Sequence, residues 1–135
     1  MTRIELDWLL DDLVTRVSDI DHAIVLSGDG LVLAACARLS PADAEHLAAV
    51  AAGLHSLAKA AADQVGGGLV RQTLVEWERH LLRLTMAGEG ACLAVLARRE
   101  VDLGLLAYEM EMLIARVGQY LSSPARTMPG GTVSR

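Results

Sequence analysis

Phenylalanine is missing from this chain and aromatic residues make up only 3% of it. Any interior must therefore be filled by Leu, Val, Ile, Met and Ala, and few side chains remain to wall an aromatic ligand pocket. Lysine occurs once, at Lys59, against eleven arginines, and the net charge is −5. The arginines are scattered, so the counterion release that drives binding to a phosphate backbone has no basic patch to act through, and nucleic acid is not an expected partner. Cysteine is equally sparse. Cys36 and Cys92 form no CxxC pair and have no histidine at ligand spacing, which makes them small buried hydrophobes and sets zinc and dithiol chemistry aside.

Motifs that carry chemistry are also lacking. His22, His46, His55 and His80 include no i, i+4 pair, and no G-x-S-x-G elbow accompanies them, so neither a metal centre nor a hydrolase can be assembled. The glycines at 28, 30 and 66–68 lack the Lys-Ser/Thr ending of a nucleotide loop and read as turns. Glu109 and Glu111 diverge by roughly 200° on a helix and cannot converge as an acid/base pair; both are expected on its solvated side. Arg98-Arg99 is a loop ending rather than an arginine finger. No cofactor is expected, and the chain is read as a non-enzyme. Acidic residues occupy the amino terminus where a signal peptide needs an apolar stretch, and apolar runs such as 91–97 are far too short for a bilayer. These features point to a cytoplasmic protein that does not insert into membranes.

What is present is a regular alternation of helix and strand signals over 1–122, enough for one domain and one core in 135 residues. Thr2-x-x-Glu5 can form a capping box ahead of Leu6, Leu9, Leu10, Leu13 and Val17 at helical spacing. Two apolar strands, over 23–26 and 31–36, flank Ser27-Gly28-Asp29-Gly30, a hairpin signal. Ser40-Pro41-x-Asp43 starts a long second helix, which Gly66-Gly67-Gly68 releases. Strands follow over 69–75, 80–86 and 91–97. The last is apolar on both faces and is expected at the sheet centre, with strand three or four nearer an edge. Leu103, Leu106, Met110, Leu113, Val117 and Leu121 define a third helix beginning near Asp102 and stopped by Ser122-Ser123-Pro124. Residues 123–135 have no periodicity and are expected to be a disordered tail. Trp8 and Trp77 are the aromatics suited to anchoring a contact, although Trp77, at a hairpin tip, is expected to pack mainly on its own domain.

The second helix points to self-association. Leu47, Val50, Leu54, Leu57 and Ala61 form one stripe expected to rest on the sheet. The opposite arc carries Ala42, Ala48, Ala49, Ala52, Gly53, Ser56 and Ala60 where a surface helix would carry charge. Small side chains there would admit another helix, and a second copy is the commonest cover for such a surface. Strand three, if an edge, is a β-prone ladder without proline or lysine that its own copy could pair with.

The order of elements, the opening Leu9-Leu10-x-x-Leu13, the hairpin over 24–32 and the closing Asp102-Leu103-Gly104-Leu105 with Tyr108-Glu109-Met110 resemble the roadblock (dynein light-chain) family, particularly its short bacterial members. The resemblance covers about 5–121. It implies an α+β, αββαβββα, profilin-like sandwich: a five-stranded antiparallel sheet with helix two on one face and helices one and three on the other. It further implies a homodimer joined edge to edge with second helices antiparallel, regulating or scaffolding a Ras-like small GTPase in bacterial signalling. A sensor-kinase-like membrane protein is a further implied partner. Under this reading Ala48, Ala52, Leu69, Arg71 and Thr73 are the expected dimer contacts. Glu45, Ala49, Ser56, Lys59 and Asp63 are the expected GTPase contacts. The competing reading is a PAS or profilin-like small-molecule sensory domain, which shares the mixed architecture but needs a roomy, aromatic-walled pocket.

Overall fold

The computed structural model describes residues 3–88 and 90–122. The tail over 123–135 lies outside them, as does Thr2 of the expected capping box. Eight elements run in the order α1 (Arg3–Arg16), β1 (Ile20–Ser27), β2 (Val32–Ala35), α2 (Pro41–Val65), β3 (Gln72–Glu76), β4 (His80–Gly88), β5 (Ala91–Arg98) and α3 (Leu103–Ser122). The strands form one antiparallel sheet, ordered β2-β1-β5-β4-β3. β5 is central as its two-sided apolarity predicts, with Cys92, Leu93, Ala94 and Val95 all buried. β2 and β3 are the edges.

Local signals account for the boundaries. Ser40 Oγ accepts the Asp43 amide at 3.1 Å, Pro41 opens α2, and Gly66 closes it at φ 64°, a left-handed conformation that glycine enters without a Cβ clash. Asp102 caps α3 in the same way, accepting the Leu105 amide at 3.1 Å.

α1 and α3 share one face of the sheet and α2 takes the other. Leu6, Leu9, Leu10, Leu13 and Val17 from the α1 segment, with Leu106, Met110, Leu113 and Val117 from α3, are buried on their side. Each such side chain contributes about 1.5–3 kcal/mol by leaving water. Leu103, expected to begin the α3 stripe, is exposed. Glu109 and Glu111 do diverge, but only Glu111 is mostly solvated: Glu109 lies 3.5 Å from Arg16 of α1, and Glu111 reaches towards Arg83 of β4 at 3.9 Å.

α2 sits on the sheet with a different face from the one its apolar stripe predicts. Ala44, Ala48 and Ala51 are buried beneath it; Val50 and Leu57 are exposed, Leu57 at 71%, and Ala61 faces solvent. The reason is proximity. The β1–β2 turn rises against the helix at Gly30, where an added Cβ would lie 3.4 Å from Ala52 Cβ and 3.9 Å from the Ala48 carbonyl oxygen. Only small residues let α2 approach so closely, so the alanines go inward and the larger apolar residues go out. Ala48, expected at a dimer contact, has no exposed surface to offer one.

β3 is also shorter than its β-prone run. Leu69 and Arg71 precede the strand, which begins at Gln72, and Leu69 is 94% exposed. The chain emerging from the Gly66–Gly68 turn, with Gly68 at φ 83°, joins the β4 ladder from the Gln72–Thr85 pair onward.

Candidate interaction surface

β3 is held to the sheet along one side only. Trp77 donates its amide to the His80 carbonyl at 2.8 Å, at the foot of the β3–β4 ladder. Because backbone polarity alternates along a strand, Thr73 and Val75 also direct their N–H and C=O groups at β4, and Gln72, Leu74 and Glu76 direct theirs outward. Leu74 is 48% exposed on this edge, while Thr73 is half-buried on the α2 side. The outward groups of Gln72, Leu74 and Glu76 form a ladder suited to strand addition.

α2 passes beside the start of this edge, with His55 lining a small pocket together with Val70, Arg71, Gln72 and Thr73. At about 100° per residue the outer surface of the helix divides into two flanks around its buried alanines. One is apolar, made by Leu47, Val50, Leu54, Leu57 and Ala61; Leu47 and Leu54 are half-buried against the core and the others are exposed. The second carries Glu45, Ala49, Ser56, Lys59 and Asp63, all exposed. The structure thus brings the five expected GTPase contacts onto one flank. Of the expected dimer contacts, Ala52 is half-buried under the helix against the hairpin and Thr73 lies in the edge strand. Leu69 and Arg71 lie just before that strand.

The other candidate features are absorbed by the fold. Arg98 binds the Asp19 carboxylate at 2.7 Å, and Arg99 binds Glu76 at 3.1 Å and donates to the Trp77 carbonyl at 2.9 Å, so both arginines tie the sheet's lower end together. Trp77 is 47% exposed and Trp8 62%. Cys36 and Cys92 are buried free thiols; burial pushes Cys36 up and Cys92 up to about 11, which suppresses the reactive thiolate. Among the described residues no group of three or more His, Cys, Asp or Glu could hold a metal ion. No helix among them is long and apolar enough to cross a membrane.

Sequence reasoning found the residues of the apolar flank but turned them towards the sheet, because periodicity alone cannot tell which side of an alanine-rich helix turns inward. It missed Asp7 and Asp11. Asp7 Oδ1 accepts the Ala35 amide at 2.9 Å and Asp11 Oδ1 accepts the Ala37 amide at 2.7 Å. The i, i+4 spacing of two acids on the first helix was their only trace.

The class defined here is a three-layer α+β domain with one helix on one face of an antiparallel sheet and two on the other, its edge strand β3 paired along one side. The sequence matches the Roadblock/LC7 domain family over residues 6–97, and the chain belongs to that family. It is 49% identical to a Roadblock/LC7 domain from Streptomyces avermitilis whose crystal structure superposes with a TM-score of 0.82, covering 85% of this chain and 96% of that one. An uncharacterized protein of Methanocaldococcus jannaschii is 32% identical over 104 residues, 77% of this chain and 90% of its relative. MglB of Myxococcus xanthus, at 17% identity, shares the fold with a TM-score of 0.80 over 89% of this chain and 97% of its own.

Proposed function

We propose that this chain is a non-catalytic, homodimeric regulator or scaffold of a Ras-like small GTPase in bacterial signalling, working in the cytoplasm. The observation that carries the proposal is the conjunction of an open β3 edge with an exposed, apolar-flanked α2 beside it. Two copies joined along β3 would continue one sheet and bring their second helices together over it. The apolar flank around Val50, Leu54 and Leu57 would be covered, and Glu45, Ala49, Ser56, Lys59 and Asp63 would remain as a polar platform for the GTPase. Membership of the Roadblock/LC7 family supports the reading, since its domains serve regulation and scaffolding. The small-molecule sensory alternative is less well supported: the pocket beside His55 has no room for a ligand, and a roomier hollow, about 550 Å³ at the Trp77–His80 turn, is an open surface depression lined mainly by Glu78, Arg79 and His80 rather than an enclosed apolar cavity.

Sedimentation of the purified chain tests the dimer, with twice the chain mass expected. Titration with a Ras-like GTPase, loaded with GTP or GDP, tests the partner. Faster GTP turnover in the complex identifies a regulator, and binding with an unchanged rate identifies a scaffold. Failure to bind in either nucleotide state overturns the GTPase assignment.

A further inference from the structure

The two edges of the sheet are treated differently. Cys36, just past the end of β2, donates its amide to the Ala23 carbonyl at 3.1 Å, and its own carbonyl accepts the Leu39 amide at 3.2 Å. The amides of Ala34 and Cys36 therefore face β1, and those of Ala35 and, in the turn that follows, Ala37 face out of the sheet. These outward amides are the two that Asp7 and Asp11 accept, at 2.9 and 2.7 Å. The match is geometric. Acids four apart on a helix are separated by about 6 Å along its axis, and residues two apart on a strand by about 6.6–6.8 Å. A helix lying along β2 can therefore seat one carboxylate on the last outward N–H of the strand, Ala35, and one on the next, Ala37, in the turn that follows. The burial of Leu6, Leu9, Leu10 and Leu13 holds α1 in that register. A strand arriving at this edge would have to bring a carbonyl oxygen to each amide, where a carboxylate oxygen already sits and repels it. Along β3, by contrast, the outward-facing positions are Gln72, Leu74 and Glu76, and α3 packs on β4 rather than alongside them.

We propose that Asp7 and Asp11 close the β2 edge to strand addition, so that association stops at two copies. The proposal rests on the β3-joined dimer above. With both edges open, symmetric β3–β3 and β2–β2 contacts would alternate without closing and build a fibre. With β2 shut, only the pair forms. The partner that each edge selects is thus a second copy at β3 and none at β2.

Sedimentation velocity of Asp7→Ala/Asp11→Ala against the unaltered chain tests this, with circular dichroism to establish folding. The double variant is expected to form a concentration-dependent series of species larger than two chains. Adding Leu74→Pro, which blocks β3, should return it to a pair joined through β2. A folded double variant that sediments like the unaltered chain overturns the proposal. If the unaltered chain is a single subunit, the β3 reading fails, and a shift of the double variant from one copy to two would still support the guarded edge. Should the double variant not fold, amide hydrogen exchange on the unaltered chain decides. Slow exchange at both Ala35 and Ala37 supports the closed edge, and exchange at solvent-exposed rates overturns it.

Discussion

Gly30 and Ala52 meet where the β1–β2 turn touches α2: a Cβ added to Gly30, which sits at φ 89°, would stand 3.4 Å from the Cβ of Ala52. This contact sets how close the helix lies to the sheet, and with it which residues of α2 are left to face a partner. Ala48, one turn earlier, has no exposure, whereas its neighbour Ala49 is exposed. Enlarging the inner position should force the helix outward. Ala48→Leu is expected to cost about 1–3 kcal/mol, as overpacked cores do, and to lower Tm by several degrees in calorimetry. Ala49→Leu should leave Tm nearly unchanged; equal losses in the two variants would contradict the inward placement.

Leu74 offers a cleaner probe of the β3 edge. Its N–H points away from β4, so proline there removes no ladder bond within the chain. Leu74→Pro should retain the circular dichroism spectrum and thermal transition of a folded domain while reducing the sedimenting species to a single chain. A variant that still sediments as a pair would move the interface elsewhere.

Leu57 tests the apolar flank of α2. It is 71% exposed, and exposed substitutions away from caps and networks change stability by about 0.5 kcal/mol or less. Leu57→Glu should therefore unfold at nearly the same urea concentration at dilutions where the protein is a single chain. A charge buried between two helices would weaken self-association at least tenfold, about 1.4 kcal/mol. Light scattering across a dilution series measures this, and unchanged dissociation would place Leu57 outside the contact.

Cys92 makes stability depend on alkaline pH. Burial raises its pKa from 9.0 to about 11, so the folded state disfavours the thiolate relative to the unfolded chain. The thiol's contribution is complete below about pH 9 and is lost as pH climbs towards 11. Urea midpoints should fall across that window more steeply in the unaltered chain than in Cys92→Ala. Parallel slopes would show that the thiol does not titrate against the fold.

Local chemistry in the chain announced most of the architecture. Ser40-Pro41 and Gly66 mark both ends of α2 because capping depends on the residues at the cap itself. The apolar run over 91–97 places β5 in the middle because only a central strand is dry on both faces. The hairpin glycines place β1 beside β2 for the same local reason. The start of β3 was less legible: Leu69 and Arg71 have strand-like neighbours, but the ladder begins at Gln72, and the Arg71 carbonyl is taken by the Thr85 hydroxyl at 3.3 Å.

By itself, then, the sequence determined the order of elements and the helix limits, which follow from contacts between residues close in the chain, and the two-sided burial of β5, which follows from its unbroken apolar run. Tertiary structure decided which face of α2 turns inward and which sheet edge stays open. The first depends on how tightly the Gly30 turn presses on Ala48 and Ala52, and the second on whether Asp7 and Asp11 fall in register with Ala35 and Ala37. Both are contacts between distant segments, and no periodicity within one segment encodes them.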